Sequence, residues 1–183
     1  MVKEHITSDL HFLHKTIFRH DYPFRRQWNN VDEMNEGLID HWNTTVDKHD
    51  IVWVLGDVSL GNRNETREIL YRLNGIINLI PGNHDQEKIS VFKDRCTVLP
   101  RMMQYRYDKV LVEMCHYPIE DWYKIHHGYP HFHGHTHGSL PHPGRRLDVG
   151  FDVHGRILSF KEAFDMVMAK PIVCSSSHHQ QRK

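Results

Sequence analysis

The chain has 183 residues, 39% of them hydrophobic, which is enough for one domain with a sizeable core. Lys and Arg number 23 and Asp and Glu number 23, so no global field draws the protein to nucleic acid or to an anionic membrane. The 18 histidines are the unusual part of the composition; several lie in short segments behind strand-like runs, which points to metal chemistry.

The amino end enters a strand-like run at Val2 to Thr7 with no basic region, apolar signal core or cleavage site ahead of it. The segment from Phe12 to Trp28, rich in aromatic and basic residues, reads as a long ordered loop with a helical turn. Asn30 is then a candidate N-cap with Glu33 three residues on, and Val31, Met34, Leu38, Trp42 and Val46 follow at helical spacing. Ile51 to Leu55 is the next strand, Asn64 opens a helix using Ile69, Leu70 and Leu73, and Ile76 to Ile80 is a third strand. This alternation of strand and crossover helix implies a parallel sheet.

From Thr97 the pattern changes. Thr97 to Leu99, Met103 to Tyr107 and Lys109 to Cys115 read as successive strands with a turn at Tyr107-Asp108-Lys109, so an antiparallel half is expected. Pro130 to His133 and Leu147 to Phe151 read as further strands, and Arg156 to Leu158 follows a turn at His154-Gly155. Ser159, with Glu162 three residues on, starts a last helix that buries Phe160, Phe164 and Val167 before Pro171. Residues 1–172 are expected to be one domain and 173–183 a disordered polar tail, in which His178-His179 reads as solvent-exposed.

Cys96, Cys115 and Cys174 form no metal-type pair and leave an odd thiol, against a secreted disulfide framework. No run approaches the ~18 apolar residues of a spanning helix. The expectation is a soluble cytoplasmic protein without a membrane partner.

Five strand ends carry the chemistry: Asp9-Leu10-His11, Gly56-Asp57, Gly82-Asn83-His84-Asp85, His116 and Gly134-His135-Thr136-His137. In open α/β sheets ligands bind beyond the carboxyl ends of strands, so residues far apart in sequence can converge there. Carboxylate, amide oxygen and imidazole without thiolate suit divalent ions of intermediate hardness, such as manganese, iron, zinc, cobalt or nickel. His135 and His137 are two apart, so holding two adjacent ions asks the segment to bend, and Gly134 and Gly138 permit a bend.

Taken in order, Asp-x-His, Gly-Asp, Gly-Asn-His-Asp, a lone His and Gly-His-x-His resemble the calcineurin-like metallophosphoesterase superfamily, in its small bacterial and phage form without a large cap domain. The resemblance implies an αββα four-layer sandwich, two mixed β-sheets flanked by helices. It implies that Asp9, His11 and His137 hold one divalent ion, that Asn83, His116 and His135 hold a second, and that Asp57 bridges them, with manganese the first expectation. The reaction would be hydrolysis of a phosphate ester by a hydroxide bridging the two ions, with His84 as general acid or as a cation at the transition state. The protein-phosphatase branch continues its Gly-Asp motif to a second Asp and an Arg, which Gly56-Asp57-Val58-Ser59-Leu60-Gly61 lacks. The lean is therefore to phosphodiesters, such as nucleotides or cyclic nucleotides.

Other residues have plainer readings. Asp85 could orient His84, but a cap on the following helix is favoured. His14 is read as a partly buried loop histidine, and Arg25, Arg26, Arg63 and Arg145 as solvated loop arginines, of which one reaches the site. Trp42 fits a helix core stripe; Trp28 and Trp122 could stack a nucleobase. One alternative is a nuclease or nucleic-acid end-processing phosphatase, supported only by the basic cluster from Arg19 to Arg26. Another, of a different class, is a non-catalytic metal-binding scaffold for protein interaction.

Overall fold

The computed structural model describes residues 2–173. Strands β1 (Glu4–Thr7), β2 (Ile51–Val54) and β3 (Ile76–Leu79) are linked through helices α1 (Val31–Thr45) and α2 (Arg63–Arg72). The chain continues through α3 (Ile89–Phe92), β4 (Thr97–Val98), β5 (Met102–Tyr107), β6 (Val110–Cys115), β7 (His131–His133), β8 (Arg146–Asp148), α4 (Phe151–His154), β9 (Leu158–Ser159) and α5 (Phe160–Met168). One sheet has the order β4-β3-β2-β1-β9, the other β5-β6-β7-β8. Both are mixed, as expected for a sandwich of two sheets flanked by helices: β9 runs antiparallel to β1, and β5 runs antiparallel to β6.

The helices begin where side chains can hold the free N–H groups of a first turn. Asn30 accepts from the Glu33 amide at 2.9 Å and Ser159 from the Glu162 amide at 3.1 Å. Helix α2 starts earlier than expected from Asn64. Asn62 is its cap, accepting from Asn64 and Glu65, while Glu65 accepts from the Asn62 amide at 2.9 Å. The Asn-x-x-Glu spacing of a capping box decides this.

The second half is not antiparallel throughout. After the β5–β6 hairpin, β7 and β8 return parallel to β6 and to each other, because the intervening loops are long enough to carry the chain back to the same edge. The strand expected over Leu147 to Phe151 ends at Asp148, whose carboxylate accepts from the Gly150 amide at 2.8 Å. This local turn turns the chain into α4.

Two cores result. Helices α1 to α3 cover the outer face of the first sheet, with Trp42 1% exposed and its indole donating to the Asn74 carbonyl at 3.0 Å. A ring of this size buries on the order of 200 Å², about 5 kcal/mol of transfer free energy at 25 cal/mol/Å². Between the sheets, Ile6, Trp53 and Leu55 meet Val112, Met114 and Phe132, and α5 inserts Phe160, Phe164 and Val167. Parallel register places Thr7, Val54 and Leu79 side by side. The loops that follow β1, β2 and β3 therefore leave at one edge.

The other face of the second sheet is covered by residues 117–129, with Trp122 against His131 at a 5.3 Å ring separation. His131 is fully buried, and burial, with His133 beside it, pushes its pKa down to about 3. The unfolded chain binds that proton near the ordinary 6.5, so the neutral ring's contribution to stability is complete above that pH. It falls by about 1.4 kcal/mol per unit as pH drops toward the folded value. Urea midpoints at pH 7 and pH 5 should show this loss in the native chain and a shallower one in His131→Gln.

Candidate metal centre

Each expected strand end arrives at this edge, held by backbone bonds between loops. The segments after β1 and β2 pair as a short ladder: the amides of Asp9, His11 and Phe12 donate to the carbonyls of Gly56, Asp57 and Val58 at 2.9–3.1 Å. Asp85 ties the next loop to them. Its carboxylate accepts from the amides of Asp57 (2.8 Å), Val58 (3.0 Å) and Gly82 (2.8 Å), so it neither orients His84 nor caps the helix that follows it. Burial pushes its carboxyl upward, and the amide donations from Gly82 and Val58 oppose that. The second sheet joins through the His135 amide, which donates to Asp9 Oδ2 at 2.9 Å.

Two clusters form. Asp9, His11 and His137 make one, and Asp57, His116 and His135 the other, with the ligand-type atoms of each cluster within 4.8 Å of one another. Asn83 joins the second cluster, its Oδ1 3.0 Å from His116 Nε2. Asp57 Oδ2 faces both, 3.8 Å from His11 Nε2 and 3.3 Å from His116 Nε2. All seven side chains singled out in the sequence as ligands thus lie at one place. His84 stands beside them, half-exposed, its Nε2 3.9 Å from Asp57 Oδ2.

The backbone is strained where these side chains gather. Asp9, His11, Asp57, His135 and His137 have φ between 47° and 70°, a region that non-glycine residues seldom occupy and that clusters at functional sites. The bend at Gly134-His135-Thr136-His137 is therefore made by the histidines themselves together with Gly138, not by Gly134. Gly134 serves close approach instead: a Cβ there would lie 2.2 Å from Ser8 Oγ and 2.4 Å from Asp9 Oδ2.

The donor set fits divalent ions. Asp9 Oδ1 and His11 Nε2 are buried and lack a hydrogen-bond partner, a costly state for polar atoms. They sit 3.8 Å apart, and Asp9 Oδ1 lies 3.9 Å from His137 Nε2. That is too far for hydrogen bonds, but close to the ~3–4 Å between donors that share one ion at ordinary bond lengths. His116 donates from Nδ1 to the Leu55 carbonyl at 2.7 Å. Its Nε2 faces two acceptors, Asn83 Oδ1 and Asp57 Oδ2; burial lowers the His116 pKa, but the hydrogen bond to Asp57 and the charges of Asp9 and Asp57 raise it overall, so Nε2 holds a proton at the place a cation could take. Burial raises the Asp57 carboxyl, yet the hydrogen bond and charge of His116 outweigh it and hold the pKa at about 2. Asp57 is therefore a carboxylate at neutral pH.

Two residues read as bland in the sequence, Arg25 and His14, and a third, Asp152, support the clusters. Arg25 is 2% exposed, not solvated. Its guanidinium donates to Asp152 Oδ1 at 2.6 Å and Oδ2 at 3.1 Å, and to the carbonyls of Asp9 (2.7 Å) and Leu10 (3.1 Å). Asp152, not anticipated at all, accepts from His137 Nδ1 at 2.6 Å, which leaves Nε2 free to face Asp9. A signal existed, since Asp152 also follows a strand-like run. His14 Nδ1 lies 3.2 Å from His11 Nδ1, and its Nε2 lies 2.9 Å from Thr16 Oγ1. Burial and the neighbouring His11 push the His14 pKa down to about 4, so a neutral His14 can accept from His11 and keep His11 Nε2 unprotonated. Arg26, Arg63 and Arg145 bond elsewhere, to Asp21, to the Glu87 carbonyl and to the carbonyls of Gly128 and Lys170. Trp28 packs on the first core, and Trp122 is buried, donating to the Tyr129 carbonyl.

Fold and site together define a two-sheet α/β sandwich protein whose sheet edge carries paired acid and imidazole clusters able to bind metal ions. The chain belongs to the family of the Gene 66 protein of Mycobacterium phage L5, to which it is 30% identical over 88% of this chain and 92% of that protein. It is also 42% identical to an uncharacterized protein of Methanocaldococcus jannaschii, over 51% of this chain; that match spans about half, 53%, of the archaeal protein. A protein of unknown function from Aquifex aeolicus shares the fold, with a TM-score of 0.67 at 18% identity, over 91% of this chain and 100% of that one. No family model matches. No helix among the described residues is long and apolar enough to cross a membrane.

Proposed function

We propose that this protein is a calcineurin-like metallophosphoesterase, a hydrolase of phosphate esters with phosphodiesters, such as nucleotides or cyclic nucleotides, as the first substrate class. One observation carries the reading: Asp57 Oδ2 lies between two clusters of carboxylate and imidazole groups that come from both sheets. Asp9, His11 and His137 would hold one divalent ion, Asn83, His116 and His135 the other, and Asp57 both, with manganese the first candidate. Bound there, such ions would activate water and neutralise the phosphoryl group.

The chain's own part is placement. Asp152 and His14 fix which ring nitrogens of His137 and His11 face the clusters. Asp85 locks the loops that carry Asp57 and Asn83. His84 has its amide held by Asp57 Oδ1 at 3.0 Å and its ring 44% exposed, which suits a group that gives a proton to a departing alkoxide. His84→Ala is accordingly expected to keep metal content while lowering kcat by ~10²–10⁴-fold, most for esters with poor leaving groups. Equal losses across a leaving-group series would contradict the acid role.

The test is a screen of phosphomonoesters, bis(4-nitrophenyl) phosphate, cyclic nucleotides and linear dinucleotides. Turnover should vanish on chelation and return with manganese or a related ion. Undiminished turnover after verified metal removal would overturn the reading. Absence of turnover in the loaded protein would favour the non-catalytic scaffold.

A further inference from the structure

The basic cluster from Arg19 to Arg26, of which the site uses only Arg25, lies directly against it. Tyr22 stacks on His137 with ring centroids 4.7 Å apart and planes 15° apart, and His20 stacks on Tyr22 at 5.6 Å and 25°. The three rings form a ladder that climbs from the first cluster to the surface, where His20 is exposed. A cleft of about 180 Å³ runs alongside, lined by Arg19, His20, Tyr22, Arg25 and Arg26 together with Phe18 and the acid Asp21.

Charge is concentrated on this strip. Residues 17–26 carry Arg19, Arg25 and Arg26 against the single acid Asp21, a net +2 within a chain whose net charge is zero. Arg25 is spent on Asp152, where it anchors the strip to the loops carrying Asp9 and His137. Among the described residues the Arg19 side chain makes no ion pair or hydrogen bond. Arg26 pairs only with Asp21, both well exposed, and such a pair is weak and easily exchanged for a phosphate.

We propose that the strip from Ile17 to Arg26 is a docking track for single-stranded nucleic acid, with His20 at the outer end of the ladder meeting a base and Arg19 and Arg26 meeting backbone phosphates. Single-strand sites combine stacking platforms with a cationic path along the backbone, and both occur here beside the candidate centre. The inference rests on the phosphoester reading and narrows its substrate class to polynucleotide phosphodiesters.

The test measures binding of a fluorescein-labelled phosphorothioate oligothymidylate, which resists hydrolysis, to the full chain with manganese by anisotropy over a salt series. The native chain should bind with an affinity that falls with salt. The Arg19→Ala/Arg26→Ala pair should lose at least ~10-fold, and its log–log salt slope should drop by about 1.4. The lysine pair at the same positions should recover most of that loss. His20→Ala should lose about 10-fold for the oligonucleotide and less for an abasic strand of equal length. Absence of saturable binding, or binding that the alanine pair leaves unchanged, overturns the track. Turnover of bis(4-nitrophenyl) phosphate by the native chain reports separately on the centre. Turnover without oligonucleotide binding removes the track alone, whereas binding without turnover removes the phosphoester reading and leaves the track as a binding surface.

Discussion

Asp57→Ala is expected to lower metal-dependent phosphoester turnover by at least ~10³-fold and to reduce the divalent ion bound per chain. The magnitude follows from position. Removing one neutral donor from an active site already costs ~10²–10³-fold in kcat, and Asp57 contributes a full charge facing both clusters, 3.8 Å from His11 Nε2 and 3.3 Å from His116 Nε2. Without it, four imidazoles and Asn83 would face the proposed ions with only Asp9 to balance their charge. Asp57→Asn is the useful companion: it keeps the volume and can still accept from the His84 amide, so folding is preserved while the bridging charge is lost. Both variants should retain the native circular dichroism spectrum. Native turnover with native metal content in either one would contradict the bridging position.

Arg25→Met is expected to cost about 3–5 kcal/mol of stability, equivalent to a fall of roughly 6–20 °C in the thermal midpoint for a chain of this size. The guanidinium is 2% exposed and is bound to a buried carboxylate at 2.6 Å. Methionine fills much of its volume but leaves Asp152 buried with one partner fewer and releases the carbonyls of Asp9 and Leu10. Metal affinity should fall by ~10–100-fold as well, because Asp152 orients His137. Adding Asp152→Leu should restore much of the stability by removing the unpaired charge, yet leave metal affinity low. Scanning calorimetry and metal titration separate the two effects. A stability loss below about 1 kcal/mol for Arg25→Met would show that the pair does not hold these loops together.

The parts of the site that could be read in advance share one property: each candidate ligand stands just after an apolar run, and parallel register brings such ends to one edge. Asp9, Asp57 and Asn83 follow from β1, β2 and β3 in that way. What stayed hidden depends on partners remote in sequence. Arg25 looks like any loop arginine until Asp152, 127 positions later, is placed against it. Asp85 resembles a helix cap because capping is local, whereas its three amide donors come from two loops. Gly134 suggested a bend, but the limit there is the approach of Ser8 and Asp9 from the other sheet, which no local pattern encodes. The antiparallel expectation holds for the β5–β6 hairpin and fails for β7 and β8 for a related reason. Alternation reports which face is buried, not whether the next strand returns parallel or antiparallel.

Anomalous diffraction from crystals grown with manganese tests the central claim most directly. Two peaks roughly 3.5–4 Å apart are expected, one held by Asp9, His11 and His137, the other by Asn83, His116 and His135, with Asp57 touching both. A single peak, or ions bound away from Asp57, would contradict the account.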